Sequence, residues 1–313
     1  MKVVVALGGN ALIRPGQQGT SQEQLDTARQ TMDKIVTMIE HGWDVVLTHG
    51  NGPQVGSILL QQEVAKDVVT PMPLDVCVAQ SQGQIGYILQ QALHNALREK
   101  NMEKPVATVV TQVLVDDGDP AFHHPTKPVG PVYRHDEALL RLREGYILTQ
   151  QKGGWRIVVP SPDPQGIVEG PAIRQLIDSG VMVIAVGGGG IPVAEDGRCG
   201  TGPCLGGREA VIDKDLASEK LASAIGAEVL LVLTDVEAVY LNYGSEQERK
   251  LEQVSLAEME NHYREGHFPP GSMGPKVLAA IRFLQNGGQR AIISSIHHAW
   301  EALEGKTGTQ ITR

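Results

Sequence analysis

Five charged residues stand out for where the sequence puts them. Ile212-Asp213-Lys214-Asp215 opens a helical pattern, so Lys214 and Asp215 sit near a helix N-terminus, where the dipole and free N–H groups attract an anion. Gly271-Ser272-Met273-Gly274-Pro275-Lys276 leads into another helical pattern. There Lys276 occupies a first turn that disfavours a cation, and local rules are broken most often at functional sites. Lys127 lies in Pro125-Thr126-Lys127-Pro128, a stiff mounting for one positive charge. Each has an ordinary reading as well: a first-turn acid, an exposed lysine, a solvated loop lysine. Asp235 ends the strand-like run Leu233-Thr234-Asp235-Val236. Ligands of open α/β sheets bind outside the carboxyl ends of strands, so Asp235 is either a contact for a nucleotide or metal or a plain strand-end turn residue.

Three glycine-rich turns complete the set, each after an apolar run: Gly8-Gly9-Asn10 after Val3–Leu7, Gly50-Asn51-Gly52 after Val45–Thr48, and Gly187–Gly190 after Val181–Val186. Glycine there lets backbone N–H groups approach an anion closely. Lysines plus backbone amides are the parts that phosphoryl transfer needs, because its catalysis is mainly positioning and charge neutralisation. An acceptor that is already an anion requires no general base, and the chain offers no evident one; His49 reads as structural. Gly305-Lys306-Thr307 imitates the end of a P-loop, but Trp300 occupies the place of its first glycine. The Gly8 turn lacks dinucleotide-binding spacing. No Gly-x-Ser-x-Gly elbow supports acyl hydrolysis.

The elements that must position these residues alternate. Strands are expected at Lys2–Leu7, Asp44–Thr48, Val106–Val115, Arg156–Val159, Val181–Val186, Glu228–Leu233 and Arg290–Ser294. Helices are expected near Ser21–His41, Leu74–Lys100, Gly170–Ser179, Lys214–Ile225, Leu256–Glu265 and Lys276–Asn286. Ser21 with Gln24 reads as the first helix's cap, and Gly42, Gly180 and Gly226 read as stops. This is βαβ grammar: an α/β chain with an open, mainly parallel sheet covered on both faces. Asp116–Arg134 is rich in Pro, Gly and charge and opens a segment running to about Gly166, with a small helix near His135–Glu144. It reads as a protruding lobe or lid. Glu195–Arg208 reads as a glycine-rich hairpin or an irregular crossover.

The 313 residues allow one large domain or two lobes. Net charge -9 with 4% aromatics argues against a nucleic-acid partner. No apolar run approaches the ~20 residues that span a bilayer, and Met1-Lys2 runs directly into a strand, so a cytoplasmic protein is expected. Three cysteines, Cys77, Cys199 and Cys204, suggest reduced thiols.

Taken together, Ala6–Leu12, THGNGPQVG at Thr48–Gly56, Val106–Val115 with Asp119–Phe122, and PTKPVGP at Pro125–Pro131 resemble the amino-acid kinase family and, within it, the carbamate kinases. So do Val158–Pro162, Gly187–Pro192, AVIDKDLASEKL at Ala210–Leu221, Leu233–Tyr240 and Gly271–Lys276. The resemblance runs colinearly over nearly the whole chain. It implies a three-layer αβα sandwich with an open sheet, forming a single domain over 1–313. The lobe for carbamate or carbamoyl phosphate would span about 1–180, the protruding subdomain about 117–166, and the nucleotide lobe about 181–313. It implies reversible phosphoryl transfer between ATP and carbamate, run toward ATP in arginine or related nitrogen catabolism, with Mg2+ on the nucleotide and no protein metal ligands, in a homodimer. By the same resemblance Lys214, Asp215, Lys276 and Lys127 carry catalysis. Gly8, Gly9, Asn10, Gly50, Asn51, Gly52, Gly188 and Gly189 hold phosphate and substrate. Asp235, Val236, Tyr240, Met273, Gly274 and Pro275 bind nucleotide. Gly187–Gly190 is expected to face the nucleotide half. A kinase of a larger carboxylate and a non-catalytic nucleotide sensor are the alternatives. Arg208 departs from the pattern, standing where an apolar residue is expected.

Overall fold

Lys2–Leu7 reads KVVVAL and is buried along nearly its whole length, the pattern of a strand covered on both faces. Its alternate residues enter different cores. Val4 and Ala6 pack with Val46, Leu230, Leu221 and Val277 on one side; Val3, Val5 and Leu7 pack with Leu47, Met32, Ile85 and Leu89 on the other. Each such side chain fully removed from water stabilises by about 1.5–3 kcal/mol, so the centre of the sheet is fixed from both faces.

The computed structural model describes residues 1–14, 16–151, 153–197 and 204–313. Among them, eight strands form the main sheet, in the order Gln253–Ser255, Thr309–Thr312, Arg290–Ser295, Val229–Thr234, Lys2–Leu7, Asp44–His49, Met182–Ile184, Val106–Thr108. All neighbours run parallel except Arg290–Ser295 with Thr309–Thr312. Helices Ser21–Glu40 and Leu74–Glu99 cover one face; Lys214–Ile225 and Met273–Gln285 cover the other. No helix among the described residues is long and apolar enough to cross a membrane. Met182–Ile184 lies between Asp44–His49 and Val106–Thr108, because helix Gly170–Asp178 returns the chain to that side of the sheet.

Four local readings change. The first helix is capped by Thr20 with Glu23, one residue ahead of the Ser21–Gln24 pair; the two cap patterns overlap, and a carboxylate is the stronger acceptor of the cap N–H. Val106–Val115 is two strands, Val106–Thr108 and Gln112–Leu114, in different sheets. Buried Gln82 replaces the ladder at the break, its amide oxygen accepting from the Thr111 N–H at 2.8 Å and its Nε2 donating to Thr111 O at 3.0 Å. A helix not read from the sequence spans Gly52–Ala65; its Gly-Pro start hides it, although proline suits a first turn that needs no N–H donor. For the same reason the last long helix begins at Met273, ahead of Pro275.

A separate three-stranded antiparallel sheet, Lys127–Tyr133, Gly154–Val159 and Leu148–Gln151, carries helix His135–Arg143. In the Glu195–Arg208 stretch, Ile191–Asp196 pairs antiparallel with Cys204–Gly207, while its tip, with Cys199, lies outside the described residues. Arg208 bridges to Asp117 at 2.5 Å, which accounts for a charge in place of an apolar residue. Cys77 is a free, buried thiol, but Cys204 is disulfide-bonded. That overturns the reading of three reduced cysteines, since an odd count does not say which thiols a fold brings together.

Candidate active site

Asp213 caps helix Lys214–Ile225: its Oδ1 accepts the Asp215 N–H at 2.9 Å, satisfying one of the free amides of the first turn. Its Oδ2 accepts from Lys127 Nζ at 2.7 Å, so the subdomain lysine reaches the same helix end. Thr48, at the end of its strand, shares a buried 2.6 Å hydrogen bond with Ser218, whose hydroxyl donates to Lys214 O at 2.7 Å. The helix N-terminus is thereby fixed against the Gly50 turn, and the Lys214 stem passes that turn, with its Cδ 3.8 Å from where a Cβ on Gly50 would be.

Asp215 is buried between two lysines. Lys276 Nζ donates to Oδ2 at 2.9 Å. Lys214 Nζ lies 2.8 Å from Oδ1, but out of line, so both atoms remain buried without a hydrogen bond. Burial alone would push the Asp215 carboxyl up; the charges of Lys214 and Lys276 outweigh it and hold the group well below the usual carboxylate range. Burial likewise opposes the charge on Lys276, and Asp215 overcomes it, raising its pKa. For Lys214 burial wins, helped by repulsion from Lys276, and its pKa falls. The two lysines share one carboxylate unequally. Lys276 is hydrogen-bonded to the carboxylate and, at 3.5 Å, to Ser272 O, and Lys214 keeps an ammonium with unspent donors, suited to an arriving anion.

The glycine turns differ in construction. Gly52 is the first residue of its helix, with Asn51 at the cap position, so the Gly50–Gly52 turn is itself a helix N-terminus that favours anions. Asn51 Nδ2 donates to Ser81 at 2.8 Å. Gly9-Asn10-Ala11 forms a single 3-10 turn; Gly8 packs against the backbone of Leu233, 3.0 Å from where its Cβ would be. Gly187–Gly190 touches both halves of the chain: a Cβ on Gly189 would strike the backbone of Ile212, just ahead of Lys214. Cβ atoms on Gly187 and Gly188 would strike His49 and Asn51, so this turn packs onto the second one. It enters through Val186 at φ +53°, a left-handed conformation that costs a β-branched residue of order 1–3 kcal/mol; the Val186 N–H is held by Thr111 Oγ1 at 3.0 Å. Burial pushes the His49 imidazole down to about 4, in keeping with a structural residue.

Asp235 directly follows strand Val229–Thr234 and, with Gly8, Arg14, Ser295 and His297, lines a cleft of about 170 Å3. Its charge reaches Lys276. Met273, Gly274 and Pro275 form the first turn below Lys276. Val236 and Tyr240 follow Asp235 half-buried, and among the described residues neither hydrogen-bonds to the lysine–aspartate cluster. The structure adds Asp213, which the capping pattern signals, and Ser295, whose buried hydroxyl in the cleft wall has no partner and which no sequence signal marks.

A sheet with ligand groups at the carboxyl ends of its strands, paired lysines and anion-binding turns defines a phosphotransferase-like α/β protein. Residues 1–295 match the family model "Amino acid kinase family", and the chain belongs to that family. Within it, this protein is 54% identical to the carbamate kinase of Pyrococcus horikoshii, over 99% of each chain, and 47% identical to that of Trichomonas vaginalis, over 99% of each. It also matches the solved structure of Giardia lamblia carbamate kinase bound to AMP-PNP, with TM-score 0.92 and 46% identity over 99% of this chain and 98% of that one.

Proposed function

We propose that this protein is a carbamate kinase that transfers a phosphoryl group reversibly between ATP and carbamate, with Lys214, Lys276, Asp215 and Lys127 as its charged machinery. The carrying observation is the convergence of Lys214 and Lys276 on buried Asp215, beside the Gly50 turn. In the forward direction a carbamate oxygen attacks the γ-phosphorus as its bond to the β–γ bridging oxygen breaks, leaving ADP. Carbamate is already an anion, so no proton must be removed. The work left to the protein is to align the reactants and neutralise charge on the oxygens in flight.

In this reading the Gly50–Gly52 helix start and Gly188–Gly189 hold carbamate. Gly8-Gly9-Asn10 lies along the transferring phosphate. Asp235, Val236, Tyr240 and the Met273–Pro275 turn hold the nucleotide. Lys214 and Lys276 reach the phosphoryl oxygens, and Asp215 keeps them apart and oriented. Lys127 leaves Asp213 to meet carbamoyl phosphate. Both Asp215 oxygens face lysines, which fits Mg2+ carried on the nucleotide phosphates, where it would neutralise charge, rather than held by side chains. The family resemblance further supports a cytoplasmic homodimer that works toward ATP, consuming carbamoyl phosphate from arginine or related nitrogen catabolism.

The test is ATP formation from carbamoyl phosphate and ADP in a coupled assay, with acetylglutamate and ATP as the competing reaction. ATP formation that collapses in Lys214→Ala is expected. No ATP formation, or an unimpaired Lys214→Ala, overturns the reading, and turnover of acetylglutamate alone makes it a kinase of a larger carboxylate.

A further inference from the structure

Helix Leu256–Arg264 ends in a cluster that the reaction above does not use. Glu265 follows the helix as its cap, and Gly266, at φ +79°, turns the chain. The Gly266 N–H donates to Tyr263 O at 3.1 Å, and the His267 N–H to His262 O at 3.3 Å. This paired closure brings the side chains of residues 262 and 267 together, ordinarily as an apolar contact. Here both are histidines, with rings edge to face at 5.6 Å between centroids, and the residue at the cap between them is a carboxylate.

The donor atoms converge. Glu265 Oε2 lies 3.7 Å from His262 Nδ1 and 3.3 Å from His267 Nε2, and one donor atom from each of the three residues lies within 4.8 Å of the others. An ion bonded tetrahedrally to nitrogen and oxygen at its usual lengths would separate its ligands by about 3.4 Å. His262 Nδ1 is buried without a hydrogen-bond partner, and an unmet buried polar atom costs about 1–3 kcal/mol. The negative end of the helix dipole also favours a cation at this place. Glu265 is largely exposed, so water has access to the remaining coordination positions.

We propose that His262, Glu265 and His267 bind a divalent transition-metal ion of the zinc class. Two imidazoles and one carboxylate suit Zn2+, Co2+ or Ni2+; Mg2+ prefers oxygen ligands throughout. The site stands on the chain that enters the Lys276 helix: Phe268 is buried, and Pro269 O accepts the Gly274 N–H at 3.0 Å.

The experiment titrates full-length, tag-free protein with Co2+, read by visible absorption, and with Zn2+ in competition with a chromophoric chelator. One equivalent bound with the intense absorption of a low-coordinate site is expected. His262→Gln and His267→Gln are each expected to bind at least about tenfold more weakly, with circular dichroism and the phosphoryl-transfer rate unchanged. Glu265→Gln loses less, because its amide oxygen can still coordinate. Either histidine variant binding its first equivalent as tightly as the parent overturns the proposal. So do His262 and His267 ring resonances in the parent protein that one equivalent of Zn2+ leaves unmoved, which would make the triad an ion-pair cluster only.

Discussion

Lys276 and Lys127 each end on a carboxylate at the start of the same helix, Asp215 at 2.9 Å and Asp213 at 2.7 Å, yet their surroundings differ. Lys276 and Asp215 expose 18% and 3% of their side chains; Lys127 and Asp213 expose 30% and 15%. The first pair rests on helices whose other faces form the main core. The second joins that core to a small sheet whose helix, His135–Arg143, buries only Ala138. Charges on the floor must be balanced before any ligand arrives, because an unpaired buried charge costs several kcal/mol. A charge on the subdomain can change partners at lower cost, since this ion pair is more open to water, and contact with water weakens such pairs. The floor is preset and the subdomain adjustable.

Asp215→Asn breaks the floor most severely. It leaves two buried ammonium groups facing an amide, a loss of about 3–5 kcal/mol in unfolding free energy. With both lysines misplaced, turnover should fall by about 10^3-fold or more. Urea melts and the ATP-forming assay measure the two effects. Turnover within tenfold of the parent would mean that the lysines hold their places without the carboxylate.

His49 carries the next effect, and its sign distinguishes floor from surface. Burial lowers its pKa from 6.5 to about 4. Between those values the unfolded chain takes up a proton that the native protein does not, so stability falls as pH drops through that window. From pH 7.5 to 5 the loss is about 2 kcal/mol. Asp215 adds almost nothing to this slope, because its contribution is complete above the ordinary carboxylate value of 3.8 and is lost only as pH falls from there toward its lowered native pKa. Urea midpoints at the two pH values should therefore diverge for the parent and converge for His49→Asn. Equal slopes would mean that His49 is not buried in neutral form.

Lys127→Met tests the adjustable partner. Melting temperature should hardly move, while KM for carbamoyl phosphate rises about tenfold or more, one ion pair's worth of binding. A large loss of stability with unchanged KM would make Lys127 a strut between Asp213 and the subdomain and remove it from the substrate contacts.

The sequence made the floor legible because its signals are local. Asp213, Lys214 and Asp215 share one helix start, and the apolar runs of Lys2–Leu7 and Val229–Thr234 mark buried strands wherever they pair. What stayed hidden depends on approach in three dimensions. Nothing near Val186 announces a left-handed valine, because Thr111 and the Asn51 turn that accompany it come from elsewhere in the chain. Helix Gly52–Ala65 was obscured because one short run, Gly50-Asn51-Gly52-Pro53, is both turn and helix start. Gly187–Gly190 packs on the Gly50 turn because strand Met182–Ile184 is inserted next to Asp44–His49, a topological fact that no local pattern encodes.

The smallest expected effect concerns how the subdomain is moored. Glu63, on the helix that starts at the Gly50 turn, accepts from Lys66 at 2.7 Å and from Arg141 of the subdomain at 2.8 Å. Those two hydrogen bonds, Lys66 foremost, hold its pKa below the usual range. A cleft of about 530 Å3, lined by Leu59, Met72, Tyr146 and Ile157, lies beside this contact, but Val55 and Ile58 of the helix also pack against Val129 of the subdomain, and Gly56 meets Gly130 closely, so the ion pair is one mooring among several. Glu63→Gln keeps the shape and removes the charge. Global stability should drop by less than about 1 kcal/mol, while amide exchange in His135–Gln151 quickens severalfold as local opening becomes easier. Turnover should stay within about twofold if the subdomain closes on its ligand through Lys127 alone. A fall as large as that of Lys127→Met would instead show that the mooring takes part in each catalytic cycle, and that the subdomain is as preset as the floor.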